Sequence, residues 1–324
     1  MRRAARRGSI LLISLSLVAV LSVLAVSVGR QLSLDVRLTK HRLAHAQAMA
    51  LARSGAALAL QRVARDAAES DGKVYDWLGD EWATPPANPG GDPGGWLVPG
   101  PAQAEVRIRI TDEGRKLSLN DATLPQLVRL TGDEAVGQAI VDARDEPDPA
   151  EDAPEGTPPY FAKNGPFAAP EELGDLPGMT PERYEILRDH TSPYRASSEP
   201  MNLNTATPEV LRAVGLTEPA VQLVLAYRDG PDGAEAHEQD GIFTASGLAV
   251  LQTLKDAEGV DLTGTEDGTL LSSELFGVSS TVFTVVAEGA TARPAARARV
   301  EAVIRRAGCG EGGPEPCIVA WRER

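Results

Sequence analysis

No charged residue occurs between Arg7 and Arg30, and the residues between them, Gly8 to Gly29, are almost all apolar or small. A helix of roughly 20 such residues, rising 1.5 Å per residue, spans the roughly 30 Å hydrocarbon core of a bilayer. A secretory signal has an apolar region of about 7–15 residues and a small-x-small cleavage site behind it. Here the run is longer, and the following "GRQLSLDVRL" offers no such site. Arg2, Arg3, Arg6 and Arg7 precede the run, which places the N-terminus in the cytoplasm and the body across the membrane. Ile10, Ile13, Val20 and Val28 mark the expected span.

The helical signal does not stop at Gly29. From Leu32 to Ala67 there is no proline and one glycine, Gly55. Leu43, Ala50, Ala57 and Ala64 recur every seventh position, with Ala46, Leu60 and Ala67 beside them, a small apolar stripe on one long helix. A helix from Ser9 to Ala67 is on the order of 90 Å long. An anchor needs no unbroken continuation of this kind, whereas a rod that packs beside other rods does.

A basic leader ending in glycine and followed by an apolar helix resembles the type IV pilin-like precursors. In that class a membrane peptidase cuts after the glycine and methylates the new terminus. Carried over, the cut falls between Gly8 and Ser9. Most members have a glutamate at the fifth mature position, where this chain has Ile13. One subtype lacks it, the protein K group of minor pseudopilins in type II secretion. A carboxylate within a bilayer is costly unless paired, and a subunit at the very tip has no subunit ahead to pair with. The same subtype resembles this chain in "YDWLGDEWATP" (Tyr75–Pro85), in "TDEGRKLSLN", in "MNLNTATPEVLRAVGL" and in the closing "VAWRER".

Two segments repeat each other: "LSLNDATLPQLVRLTGDEAVGQAIVDARD" from Leu117 and "NLNTATPEVLRAVGLTEPAVQLVLAYRD" from Asn202. Asn120 aligns with Asn204, Thr123 with Thr207, Leu127 with Leu211, and Arg144-Asp145 with Arg228-Asp229, with no gap. Each threonine is an expected N-cap, and Pro208 an expected first helical residue. The unit resembles helix-hairpin-helix modules. Nucleic-acid-binding versions use a Gly-hydrophobic-Gly hairpin that opens backbone N–H groups to phosphate. Here the hairpins read "LTGDEAVG" and "VGLTEPAV", with Glu134 and Glu218 where a phosphate would approach.

"AEVRIRITDEG" (Ala104–Gly114) alternates Val106, Ile108 and Ile110 with Arg107 and Arg109, the pattern of a half-buried strand. "TVFTVVAEG", "ARARVEAVIRRAG" and "CIVAWRER" add three strands, expected as an antiparallel meander with one face on the long helix. Cys309 and Cys317 flank the turn "GEGGPEP", a feasible disulfide position in an extracytoplasmic compartment. The Gly/Pro-rich stretch Pro85–Pro101 reads as a surface loop. Phe167–His190 reads as a short helix, a turn and a second helix.

The expected fold is α+β: a long N-terminal helix on a small antiparallel sheet, pilin-like, with a large inserted helical domain carrying two helix-hairpin-helix-like repeats. The expected divisions are a leader at 1–8, the membrane and assembly helix at 9–70, and a loop and first strand at 71–116. The insert covers 117–277, with repeats at 117–145 and 202–229, and the closing strands cover 278–324.

The net charge of −14 opposes phosphate-backbone binding, which leaves a membrane-anchored DNA receptor as the alternative reading. His41, His45, His190 and His237 are scattered, and no nucleophile elbow, phosphate loop or dinucleotide fingerprint occurs, so no enzyme is expected. Asp229, Asp232 and Asp240 are oxygen ligands in an acidic loop to which the resemblance lends calcium. The resemblance further implies a subunit capping the pseudopilus tip and supporting export of folded proteins across the outer membrane. Its partners would be the I- and J-type minor pseudopilins, the major pseudopilin, the inner-membrane platform and the prepilin peptidase. Its location would be the inner membrane, with the body in the periplasm.

Overall fold

The computed structural model of the chain describes residues 7–69, 75–83, 96–100, 104–145, 163–196, 198–230, 233, 240–306 and 316–324. The elements run α1 (Arg7–Glu69), β1 (Trp96–Pro99), β2 (Glu105–Asp112), β3 (Leu117–Ser118), α2 (Leu124–Thr131) and α3 (Glu134–Arg144). They continue α4 (Pro181–His190), β4 (Thr191–Ser192), β5 (Met201–Asn202), α5 (Pro208–Val214), α6 (Glu218–Asp229), α7 (Leu248–Glu258) and α8 (Glu266–Leu271). The chain closes with β6 (Phe276–Gly277), β7 (Val282–Ala292), β8 (Ala295–Arg305) and β9 (Cys317–Glu323).

The main sheet has the order β1-β2-β7-β8-β9, every pair antiparallel. β2 and β7 are neighbours in space although the whole helical region separates them in sequence. Trp96–Pro99, inside the stretch expected to be a loop, is an edge strand pairing Trp96 with Ile108 and Pro99 with Glu105. A proline is tolerated there because an edge strand leaves one row of backbone groups unpaired. Four residues carry too little period-2 pattern to stand out within a Gly/Pro-rich run.

Among the described residues one helix, α1, is long and apolar enough to cross a membrane. Ile10 (70% exposed), Ile13, Val20 and Val28 all lie on its bare portion. Its later turns cover the sheet, and the packing explains the run of small residues. Ala44, Ala48, Ala52, Ala56, Ala59 and Val63 are buried, and the last four pack against Val106, Ile108, Val285, Ala287, Val300, Ala302, Ile304 and Phe283. On β7 the side chains facing the helix shrink in order: Phe283, Val285, Ala287, Gly289. Where Phe283 stands, Val63 and Trp82 fill the space, and the Trp82 and Phe283 ring centroids are 5.0 Å apart. Where Gly289 stands, the backbone of Ala48 and Ala52 lies directly on the strand. The graded sizes bring the helix closest to the sheet at the end nearest the apolar run.

The buried stripe is not the one the heptad spacing suggested. Leu43, Ala46, Ala50 and Ala57 are exposed, while Leu60 and Ala64 are half-buried. The helix carries two alanine-rich faces. Only the one centred on Ala52 meets the sheet.

The helical domain leaves the sheet after Asp112 and returns before Val282, at the end beside Val63 and far from the apolar run. Its core is a single cluster drawing on both repeats, including Leu127, Ile140, Leu211, Val221, Phe243 and Phe276. Phe167–His190 forms a 3-10 turn over Pro170–Asp175 and then α4.

Candidate functional site

Among the described residues the arrangement has no catalytic constellation, and its organised parts are joints and surfaces. The duplication is the first. Thr123 opens α2, where its N–H donates to Gln126 Oε1 (2.8 Å), and Thr207 opens α5, where its Oγ1 accepts from Val210 N (3.4 Å). Each first helix ends in a glycine in the left-handed region, Gly132 (φ 68) and Gly215 (φ 116), which lets the chain turn into the second helix. Arg144 and Arg228 then reach back from the ends of α3 and α6. Arg144 donates to the carbonyls of Leu119 and Ala122, and Arg228 to that of Ala206 (2.6 Å).

The repeat is larger than the sequence similarity. Asn120 clamps Phe167: the Phe167 N–H donates to Oδ1 (2.7 Å) and Asn120 Nδ2 to the Phe167 carbonyl (3.0 Å). Asn204 clamps Phe243 in the same way (2.8 and 3.0 Å). Each unit closes with a two-residue parallel bridge, Leu117-Ser118 with Thr191-Ser192 and Met201-Asn202 with Phe276-Gly277. Two units of this kind, 117–192 and 201–277, therefore make up the insert, and α2 packs on α5 with Arg129 Nη1 donating to Ala213 O (3.0 Å). "GPF" at 165–167 and "GIF" at 241–243 were the sequence trace of the second halves. Arg228→Ala should remove a buried charge-assisted hydrogen bond, costing about 2 kcal/mol. The midpoint of denaturant unfolding would report this loss, and Arg228→Lys should recover only part of it.

Both hairpins carry a carboxylate where an anion would bind. Asp133 Oδ1 accepts from Ala135 N (2.9 Å) and Val136 N (3.3 Å) at the start of α3. At the start of α6, Asp267 takes the Thr217 N–H (2.9 Å) and hydroxyl (2.6 Å). Glu218 pairs with Arg212 (2.7 Å), which holds its carboxyl down at about 2.

The joint between insert and sheet centres on Asp112, a fully buried residue to which the sequence drew no attention. Its Oδ1 accepts from Gly114 N (2.6 Å), and its Oδ2 from Thr205 Oγ1 (2.5 Å), Ser280 Oγ (2.7 Å) and Asn202 Nδ2 (3.2 Å). Burial pushes its carboxyl up, and the hydroxyl donors of Thr205 and Ser280 pull it partly back. Asn202 also donates to Asp76 O (3.2 Å), and Asp76 Oδ2 accepts from Ser280 N (2.7 Å). Asp66, Asp76 and Asp80 gather close enough to hold a cation. Arg306 engages two of the three, donating to Asp76 (2.8 Å) and Asp66 (3.1 Å) while stacking over Phe283.

The other expected positions are dispersed. Gly8 and Ser9 lie in the first turns of α1. Cys317 opens β9 and is disulfide-bonded, while Cys309 lies outside the described residues. Asp229 ends α6 with its carboxylate on Arg228 Nε (3.1 Å), and Asp240 opens the irregular segment that leads to Phe243. Asp232 lies outside the described residues, as does His237. His41 and His45 are exposed on α1, and His190 meets Thr207 (3.1 Å).

No known family model matches the sequence, and no curated protein matches it significantly. Among solved structures, the chain is similar to a chain of the GspK-GspI-GspJ complex from the enterotoxigenic Escherichia coli type 2 secretion system. Identity is 16% and the TM-score 0.63, and the match covers 88% of this chain and 99% of that one. At that identity the likeness concerns architecture. The chain has the pilin-like α+β fold of a component of that secretion complex.

Proposed function

We propose that this chain is a minor pseudopilin of a type II secretion system, in the position that GspK holds in the matched complex. The observation that carries the reading is a structural match over 88% of the chain, joined to an apolar helix that continues without a break into the sheet-packing helix. In this reading α1 anchors the chain in the inner membrane by a single span and then lies in a bundle with I- and J-type pseudopilins. The body is periplasmic. The insert, attached at the end of the sheet far from the span, occupies the place of a further subunit and so caps the tip. The role is assembly in support of protein export, without catalysis.

The DNA-receptor alternative has less support. At both hairpins a carboxylate, Asp133 or Asp267, already sits at the helix start, and an approaching phosphate would meet like charge. For calcium, the loop offers Asp229 and Asp240, yet Asp229 is engaged by Arg228. A cation there would compete with a guanidinium for Asp229.

Processing tests the proposal. N-terminal mass spectrometry of the protein from host membranes, with and without the prepilin peptidase, should show a peptidase-dependent product beginning at methylated Ser9. An intact Met1 in both strains would remove the pseudopilin assignment and leave an anchored domain of the same fold.

A further inference from the structure

The chain carries a net charge of −14, yet one face of the sheet is rich in arginine. On the side away from α1, cross-strand pairing sets Arg107 beside Glu288 and Glu288 beside Arg299, and Arg299 exchanges backbone hydrogen bonds with Arg324. One step nearer the apolar run, Glu105, Ala290 and Arg297 form the next row. Together these residues line an open groove of about 360 Å³ in which four guanidiniums meet two carboxylates. All four arginines are exposed. Arg299 reaches Glu288 at 3.8 Å and Glu301 at 3.5 Å, and Arg324 meets Glu171 of the insert at 3.0 Å. Among the described residues none pairs with the Arg297 side chain. Exposed pairs of this kind hold their partners weakly, so the guanidiniums can be recruited by another carboxylate.

The location is as informative as the sign. The groove lies at the Gly289 end of the sheet, level with Ala48. Below that level α1 is bare, with every residue from 10 to 43 exposed. A neighbour packing its own helix along this bare stretch would lie on the membrane side of the groove.

We propose that the Arg107–Arg297–Arg299–Arg324 groove seats a carboxylate-rich segment of the adjacent pseudopilin nearer the membrane. This rests on the assembly reading above and adds to it the partner's chemistry. Arginine forks suit bidentate carboxylate contacts, and opposite charge across an interface fixes register and partner choice more than it adds affinity.

The test uses the full-length chain in host membranes with its pseudopilins present. A photo-crosslinking residue is placed at Ala290, within the groove but leaving all four arginines, and separately at Ala50 on the exposed stripe of α1. The expected result is an adduct from each position to a pseudopilin, the Ala290 adduct mapping to a peptide rich in Asp or Glu. The double variant R297E/R299E should lower the Ala290 adduct about tenfold and leave the Ala50 adduct unchanged. So should about 1 M salt, where the screening length falls to about 3 Å. A persistent Ala50 adduct overturns the groove proposal alone if Ala290 gives no adduct, one on a carboxylate-free segment, or one insensitive to charge reversal. Absence of adducts at both positions overturns the assembly reading and the groove proposal with it.

Discussion

Gly289→Leu should lift the long helix off the sheet and cost about 3 kcal/mol, the upper end for overpacking a tight core. The position has no room for even one carbon. A Cβ there would overlap the Ala48 carbonyl oxygen and approach Ala52 N to 2.9 Å. Both obstacles are helix backbone, which cannot rotate away as a side chain does. At Gly55 on the opposing surface the obstacles are Val106 Cγ2 at 2.7 Å and Ala287 Cβ at 3.1 Å, so Gly55→Ala should be milder. The urea midpoint of the detergent-solubilised chain should fall furthest for Gly289→Leu, less for Gly289→Ala and least for Gly55→Ala. If Gly289→Leu unfolds at the wild-type midpoint, the close approach of α1 to β7 is wrong.

Asp112→Ala should cost about 3–5 kcal/mol, the range for breaking a buried polar network by removing its charged partner. Four donors converge on this carboxylate, and deleting it strands Asn202, Thr205 and Ser280 in a dry joint. Asp112→Asn keeps the shape and one acceptor oxygen, and sets an amide N–H against the Gly114 N–H. It should cost less than half as much. The pH dependence separates charge from shape. The native carboxyl titrates above its ordinary value because of burial, so the unfolded chain gives up this proton first. The associated stability is fully present below the ordinary aspartate range and is lost as pH rises through the raised native value. The penalty of Asp112→Asn relative to wild type should therefore shrink as pH rises. A constant penalty across that window would mean the site holds its charge without strain. Glu218 and Glu323, held down at about 2 by Arg212 and Arg53, act in the other direction, with stability lost as pH falls.

Much of this architecture was legible because its signals are local. An uncharged run of bilayer length, threonine before proline at a helix start, and Val106-Ile108-Ile110 alternating with arginine each act within a few residues. The heptad at Leu43, Ala50 and Ala57 was equally local, and it marked the wrong face for the sheet. Alanine is abundant on two sides of α1, and periodicity cannot tell which side is nearer a strand 230 residues away. The Asn120–Phe167 and Asn204–Phe243 clamps explain a different miss. The first halves of the repeats kept their sequences because helix caps constrain each residue type, whereas the second halves share only a backbone pairing and one aromatic ring.

Local signals along the chain specify one span-length helix running on into a rod, strands enclosing a helical region, and a duplicated helix pair poor in phosphate-binding chemistry. These follow from hydrophobic period, caps and charge, which need no partner to be read. It takes the folded packing to show that the Ala52 face meets the sheet and that β7 tapers from Phe283 to Gly289 to let it approach. Only there does Asp112 join two domains, and only there do arginines of β2, of β8 and of the residue after β9 share one groove. Each of these depends on residues far apart in sequence meeting at van der Waals or hydrogen-bond distance, which only the completed packing brings about.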